Sequence, residues 1–363
     1  MAEVYPVSPA EIETKLSQIW TSLETKGVAR ASLFNLLVYV EDGHRLTYIE
    51  KIIQKVIKTF PARILLVVVQ QESSLKELTA EVSIMFSSKG EYDVACDFIR
   101  LRVAKNAKDR VPLLVLPHIL PDLPIYLVWA EDPSWEKLPF EQTLAFDRII
   151  FDSESTESLP NFASNALSIY NKKNVAIADL NWARTETLRD LFLIAFFSKE
   201  RCEQLERITS IQITYNAKET PFFAHTKIQS IFLQAWLACQ FQWDWKDLTY
   251  EGTTEIFSYA KENTPIECRL LPTSFANLPP GLILDVEFAT TKGEHFLLQR
   301  DREEISRLTL YPSDDFSCQL PSYFTFSKAE SGHSLVKEIT HQGTSKHFIK
   351  VLQLLRQYGN VTL

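Results

Sequence analysis

The apolar positions of the first seventy residues change between helical and strand spacing. Apolar side chains recur every three or four positions over 9–26 and again over 45–60, which predicts two amphipathic helices. Short apolar runs at 32–40 and 63–69 are rich in β-branched residues and predict buried strands. Strand, helix and strand follow one another with short connections, so we expect a right-handed parallel crossover.

The pattern of the next hundred residues predicts more strands. Apolar and polar residues alternate over 78–86 and 92–103, on either side of a glycine-containing turn, which predicts a hairpin. Further strands are expected at 125–130 and 145–154, and a helix near 160–171. The first half of the chain is therefore predicted to form a mixed sheet flanked by helices.

The second half has the character of an α+β domain. Apolar residues at helical spacing over 188–196 predict a helix, and residues 207–215 are expected to form a strand. The clearest helical pattern covers 222–241. Four strands should follow, at 266–272, 281–290, 294–300 and 304–312, and the last three are expected to form an antiparallel meander. A helix is expected over 345–358. The predicted fold class is α/β, with an N-terminal α/β domain (1–175) and a C-terminal α+β domain (176–363).

Composition narrows the class of protein. The chain has 363 residues, 45% of them hydrophobic and 23% charged, as in an ordinary globular protein. Its net charge of -8 argues against binding a nucleic-acid backbone. The apolar run 111–130 contains four prolines, together with His118 and Asp122, so it is not expected to span a membrane. We see no secretory leader and expect a cytoplasmic protein whose five widely spaced cysteines are buried, reduced thiols.

Glycine usage excludes several kinds of catalytic site. Only nine glycines occur, and none of them builds GxGxxG or GxxxxGK[ST], so a usual dinucleotide or P-loop site is not expected. GxSxG and HExxH are also absent, and the seven histidines are scattered. The sequence therefore predicts no cofactor, no metal and no catalytic residues.

Charged side chains near predicted strand ends are the remaining candidates for a ligand-binding or partner-binding site. Each carboxylate could simply cap a turn or pair with a nearby arginine. Alternatively, they converge at the sheet edge where open α/β sheets bind ligands. The candidates are Asp122, Trp129, Arg148, Asp152, Asp179, Trp182, Arg184 and Arg189.

Several of these segments carry a family resemblance. They read "FNLLVYV" with "PARILLVVV", "VPLLVLPHILPDLPIYLVW", "FDRIIFDS", "DLNWARTETLRDLF" and "IFLQAWLACQFQW". In this order, over about residues 33 to 243, they resemble the OpcA family of glucose-6-phosphate dehydrogenase assembly proteins. The resemblance implies a non-catalytic protein that assembles with this dehydrogenase or activates it allosterically, and it carries over no catalytic residue.

Two functional hypotheses follow. In the first, exposed aromatic and arginine side chains contact the dehydrogenase, because these residue types dominate interface energetics. The candidates for that role are Trp129, Trp135, Trp243, Trp245, Arg148 and Arg184. In the second, the chain is a sugar-phosphate sensor or enzyme, and Arg148, Arg184 and Arg189 bind the anion in a common pocket.

The Pro-Asp-Leu-Pro element at 121–124 has two interpretations. Pro121 and Pro124 fix a turn that delivers 125–129 into the sheet, with Asp122 accepting backbone N–H bonds in that turn. The alternative is direct contact of this loop with a ligand or partner.

Overall fold

The computed structural model describes residues 3–70, 78–87, 94–133, 140, 143–173, 175–221, 225–314, 319–326, 333–341 and 343–359. Ten α-helices lie in these ranges. They are α1 (Ile12–Glu24), α2 (His44–Thr59), α3 (Val111–Val115), α4 (Leu159–Lys173), α5 (Leu180–Arg184), α6 (Glu186–Ala195), α7 (Lys199–Leu205), α8 (Ile228–Phe241), α9 (His333–Thr340) and α10 (Lys346–Leu355).

Seventeen strands lie in the same described ranges. The first nine are β1 (Val4–Val7), β2 (Ala29–Arg30), β3 (Asn35–Glu41), β4 (Arg63–Gln70), β5 (Leu78–Ser87), β6 (Val94–Ala104), β7 (Ile125–Trp129), β8 (Arg148–Phe151) and β9 (Ala176–Asp179). The other eight are β10 (Ile208–Asn216), β11 (Asp244–Glu251), β12 (Thr254–Lys261), β13 (Thr264–Thr273), β14 (Ile283–Thr290), β15 (His295–Arg300), β16 (Arg307–Ser313) and β17 (Ser322–Thr325). The mixed α/β class is thus confirmed.

The chain divides into two compact units whose segments interleave. The first unit comprises Met1–Thr156, Ser168–Leu180 and Ser331–Gly343. The second comprises Glu157–Leu167, Asn181–Glu330 and Thr344–Leu363. The sequence pattern predicts a single domain boundary at position 175. In the structure, the first unit includes Ser331–Gly343, which follows that position, and the second unit includes Glu157–Leu167, which precedes it.

The first unit contains a nine-stranded sheet. Its strand order is β1-β5-β6-β4-β3-β7-β8-β9, with β2 paired to β6. The six strands from β6 to β9 run parallel in the order that dinucleotide-binding domains use. The predicted parallel crossover β3-α2-β4 is confirmed, as is the antiparallel pair β5-β6, whose connecting residues 88–93 lie outside the described residues.

Helix α2 forms because its apolar residues repeat at helical spacing. Leu46, Ile49, Ile53, Val56 and Ile57 are buried on one face. They pack on the even-numbered side chains of β3 and β4, which are also buried. Helix α9 packs beside α2 on the same core. Together these apolar side chains form one continuous hydrophobic core on that face of the sheet.

The Pro-Asp-Leu-Pro turn does lead into a strand, as predicted. The side chain of Asn35 accepts a hydrogen bond from the Leu120 amide (2.8 Å) and donates to the carbonyls of Leu120 (3.0 Å) and Leu123 (3.3 Å). Asp122 is exposed and has a left-handed backbone (φ 63°), which Asp tolerates better than most residues. The turn hydrogen bonds found here therefore come from Asn35.

The second unit contains an eight-stranded sheet in the order β11-β12-β13-β10-β14-β15-β16-β17. Helix α8 is buried along most of its length, and α10 packs against it. The predicted antiparallel meander is confirmed by the pairs β14-β15 and β15-β16. Strands β11 and β12 were not expected from the sequence pattern; of the predicted helix 222–241, residues 222–224 lie outside the described residues.

Candidate functional site

The carboxyl ends of the parallel strands are where a sheet of this order usually binds its ligand. In the first unit this edge carries mostly acidic side chains. Seven carboxylates follow or close strands there, accompanied by the basic side chains of Arg45, Arg102 and Lys105; the acids are Glu41, Asp42, Glu131, Asp132, Asp152, Glu154 and Asp179. Two of the predicted site residues, Asp152 and Asp179, lie on this edge.

The turn from β3 into α2 differs from a phosphate-binding turn. It reads Glu41-Asp42-Gly43-His44, with one glycine and two acids. A carboxylate oxygen of Glu131, just after β7, accepts the backbone N–H of Glu41. An acidic side chain of the protein thus bonds a backbone amide at the point between β3 and β7 where the order of strands reverses.

Arg45, in the first turn of α2, is held by Asp152 at the end of β8. The guanidinium Nε lies 2.8 Å from Asp152 Oδ2, and a second guanidinium nitrogen also contacts that oxygen. The guanidinium lies over the ring of Tyr48, 4.4 Å from its centroid. Burial opposes the charge on Arg45, but the carboxylates of Asp152 and Glu154 outweigh it and raise its pKa. Arg45 is therefore already engaged by a carboxylate.

Asp179 closes the next turn along the edge. Its carboxylate accepts hydrogen bonds from the backbone N–H of Ser153 (2.8 Å) and from the Ser153 hydroxyl (3.0 Å). Both residues are fully buried. Asp152 and Asp179 therefore lie near each other, and the contacts that they make here organise the turn after β8.

The described turn from β3 into α2 lacks the features that bind a pyrophosphate. Phosphate sites of this fold use free backbone amides and a glycine-rich turn at a helix N-terminus. Here carboxylates contact the Glu41 amide and Arg45, so both groups are already engaged by the protein itself. The geometry gives no support to a dinucleotide or sugar-phosphate site at this edge.

Two of the other predicted site residues in this unit are buried and engaged with protein groups. Arg148, the first residue of β8, donates to Glu338 (2.7 Å) and to the His341 carbonyl (2.5 Å). Trp129 is fully buried and stacks on Tyr39 with ring centroids 4.6 Å apart. Arg148 and Trp129 therefore make contacts inside the unit, and they do not form the exposed surface that the interface hypothesis assigned to them.

The remaining candidates lie in the second unit. The Arg189 guanidinium lies 3.5 Å from the centre of the buried Trp182 ring and donates to the Trp182 carbonyl (2.7 Å). Arg184 donates to Asn181 (2.5 Å). Burial, followed by the charges of Lys350 and Arg189, lowers the pKa of His347, which places these three basic groups close together.

Two of the other tryptophans considered for an interface also have limited exposure. Trp243 is buried and packs 5.7 Å from Phe241, and Trp245 is half-buried with its ring 4.4 Å from that of Tyr358. Trp135 lies outside the described residues. Aromatic residue type alone therefore did not locate the exposed surface.

A cluster of exposed apolar side chains lies at the end of α6, and the sequence interpretation did not single it out. Leu193, Ile194 and Phe197 are 65%, 61% and 87% exposed; we call these three residues the α6 patch. Beneath them Phe192 and Phe196 pack on each other with centroids 5.9 Å apart. The unbroken apolar run 191–197 exceeds what one buried helix face needs, and this was the available sequence signal. Such a patch is typical of a protein–protein contact.

The cysteines agree in part with the expectation of buried thiols. Cys96 and Cys268 are buried, and burial raises the pKa of both thiols, that of Cys96 to about 11. Cys239 is half-buried and its pKa is also raised to about 11. Cys202 is exposed, with its thiol 2.9 Å from the Phe196 carbonyl. Cys318 lies outside the described residues.

Fold and surface together define a two-unit α/β protein with a dinucleotide-type sheet, an acidic ligand edge and an exposed apolar patch. No helix in the described ranges is both long and apolar enough to cross a membrane. Residues 54–167 match the model of the glucose-6-phosphate dehydrogenase subunit N-terminal domain, and residues 175–352 match that of the C-terminal domain. The chain belongs to the OpcA family of glucose-6-phosphate dehydrogenase assembly proteins.

Two similar proteins come from cyanobacteria. The OxPP cycle protein OpcA of Synechocystis sp. is 28% identical over 205 residues, which cover 54% of this chain and 42% of the relative. The OpcA protein of Synechococcus elongatus is 27% identical over 216 residues, 58% of this chain and 46% of the relative. The matched stretch thus spans less than half the length of either relative.

Among solved structures, a super-repressor mutant of Gal80p from Saccharomyces cerevisiae has a similar fold. It aligns with a TM-score of 0.51 and 12% identity, covering 89% of this chain and 95% of that chain. At this identity the likeness concerns the fold alone.

Proposed function

We propose that this chain is a non-catalytic subunit that binds glucose-6-phosphate dehydrogenase and activates it, acting in the cytoplasm. The observation that carries the proposal is the match of both family domains, each described as a subunit of that dehydrogenase. An activator of this kind binds the conformation of the dehydrogenase that has the higher substrate affinity. The coupling free energy is expected to be about 1–3 kcal/mol, or about 5–150-fold in affinity.

The geometry of the described residues supports a protein partner more than a sugar phosphate. The α6 patch offers the apolar surface that a partner would cover. Arg148, which would anchor the phosphate in the alternative hypothesis, is buried and paired with Glu338. Its charge is therefore already neutralised by a carboxylate, which weakens the case for an anion-binding role.

The test uses the whole chain and its cognate glucose-6-phosphate dehydrogenase. Analytical size exclusion with light scattering measures complex formation, and initial rates give the dehydrogenase KM for glucose 6-phosphate with and without the chain. We expect a defined complex and a KM lowered by about fivefold or more. Absence of both effects would contradict the proposal. A thermal shift of the chain with glucose 6-phosphate alone, without a complex, would favour the sensor.

A further inference from the structure

A groove lies beside α2 in the first unit. Its volume is about 250 Å³, and it is bounded by α2 on one side and by β5, β6 and the edge strand β1 on the others. Its apolar wall is formed by Ile53, Met85 and Phe98. We call this cavity the α2 groove.

The groove follows from how the helices cover the sheet. Side chains of β5 alternate between the two faces, and Ala80, Val82 and Ile84 on one face are buried. On the opposite face α2 covers the neighbouring parallel strands, and Glu81 and Met85 of β5 are only partly buried there. Because β5 and β1 extend the sheet beyond α2, an open channel remains alongside the helix.

Charges are arranged at the rim of this groove. Arg100 pairs with Glu50 (2.5 Å) and with Glu81 (3.1 Å). Its guanidinium lies 5.7 Å from the centre of the Phe98 ring. Two carboxylates therefore share one guanidinium, which leaves the groove with a net charge of about -1. Both glutamate side chains are 31% exposed, so their charge is accessible from outside.

An apolar wall below accessible carboxylates fits a side chain with a long apolar stem and a cationic end. Lysine and arginine have this form, since their methylene groups cover apolar surface while the charged end stays at a polar rim. A phosphate or carboxylate would meet net negative charge, and a purely apolar side chain would desolvate two glutamates that share a single guanidinium.

We propose that the α2 groove receives a lysine or arginine side chain of the partner, whose stem packs on Phe98 and Ile53. Its charged end pairs with Glu50 and Glu81. The inference rests on the proposed function, because the partner is taken to be the glucose-6-phosphate dehydrogenase. The α2 groove would give the first unit a polar contact with the dehydrogenase, in addition to the apolar contact proposed for the α6 patch of the second unit.

Two variants test the groove from different directions. Gln54 is exposed on α2 and lines the groove, so Gln54→Trp fills it with a large ring. Glu50→Gln removes one charge while keeping an acceptor for Arg100. Lys51→Trp is the control, because it places the same ring at an exposed position of the same helix that does not line the groove.

Binding is measured by biolayer interferometry with immobilised dehydrogenase, after circular dichroism has shown that each variant is folded. We expect Gln54→Trp and Glu50→Gln to raise the Kd about tenfold, and Glu50→Gln also to reduce its dependence on salt, while Lys51→Trp binds like wild type. Wild-type affinity in both groove variants would overturn this inference and leave the proposed function intact. Failure of the wild-type chain to bind would overturn both.

Discussion

At the scale of single residues, Asp97 is the centre of a buried polar network in the first unit. Its carboxylate accepts hydrogen bonds from Trp20 (2.6 Å), Arg30 (2.6 Å) and Arg63 (2.9 Å). Arg63 in turn pairs with Glu13, which also contacts His118. Asp97 and Arg63 are almost completely buried, and each is the other's one buried partner of opposite charge among the ion pairs named here.

We therefore expect Asp97→Asn to reduce the free energy of unfolding by about 3–5 kcal/mol, because the buried Arg63 would lose its buried anion and keep only Glu13, whose side chain is 48% exposed. Arg30→Gln is the matched comparison, since the Arg30 side chain is 43% exposed and water can replace its contact. That variant should cost about 1 kcal/mol or less. Urea unfolding followed by tryptophan fluorescence measures both; equal losses would contradict the buried-pair explanation.

This network could not be predicted from the sequence. The partners of Asp97 lie 77, 67 and 34 positions away from it. Hydrophobic periodicity places β4, β6 and α1 individually, but it does not say which strand is adjacent to which. Asp152 and Asp179 were easier to place, because both follow apolar strands and carboxyl ends of parallel strands meet at one edge.

At the scale of elements, two buried asparagines hold proline-containing loops against strand ends. Asn35, at the start of β3, bonds the loop before β7. Asn216, at the end of β10, donates to the carbonyls of Phe275 (3.2 Å), Leu278 (3.0 Å) and Pro279 (3.0 Å). The side-chain amide serves this purpose because it donates and accepts at once.

Replacing Asn35 with alanine should therefore loosen the entry of β7 into the sheet. Asn35→Ala leaves the Leu120 amide and two carbonyls without these partners, and we expect a loss of at least about 2 kcal/mol in the free energy of unfolding. Asn106→Ala is the control, because Asn106 is exposed in the same unit and should change stability by less than about 0.5 kcal/mol. Chemical denaturation compares the two; similar values would show that the amide does not hold the turn.

Elements with a strong apolar pattern were the ones found from the sequence. Helices α2 and α8 and strands β3 and β4 have continuous buried faces. Strand β11 was missed because it is an edge strand whose side chains are mostly exposed, so it lacks the alternation that marks a strand. The Pro-Asp-Leu-Pro turn was located correctly, but the hydrogen bonds described for it come from Asn35, about 85 positions before the loop.

At the scale of the whole molecule, a fold associated with nucleotide binding is combined with an acidic ligand edge. Glycine counting argues against a usual dinucleotide site, and at the turn after β3 the Glu41 amide and Arg45 contact Glu131 and Asp152. The dinucleotide-type strand order was not predictable, since it depends on pairing between distant strands. Hydrophobic periodicity predicts which residues are buried, but it does not predict which exposed residues form a binding surface.

The α6 patch exposes three large apolar side chains close together in the chain. Leu193, Ile194 and Phe197 lie in seven consecutive apolar residues, of which Leu191, Phe192 and Phe196 suffice to attach the segment to the core. Burying a leucine and a phenylalanine in an interface contributes about 1.5–3 kcal/mol each. The patch is thus large enough to account for a measurable share of partner affinity.

We expect the double variant Leu193→Ser with Phe197→Ser to raise the Kd for glucose-6-phosphate dehydrogenase by about tenfold or more, because both side chains lose an apolar surface in the complex. Stability should change little, since both residues are exposed in the free chain. Leu320→Ser is the matched control, because Leu320 is 90% exposed in the same unit and lies outside the patch. Titration calorimetry should also give a less negative heat-capacity change of binding for the patch variant, as expected when less apolar surface is buried. If the patch variant and Leu320→Ser both bind with the same affinity as wild type, the α6 patch does not contact the dehydrogenase.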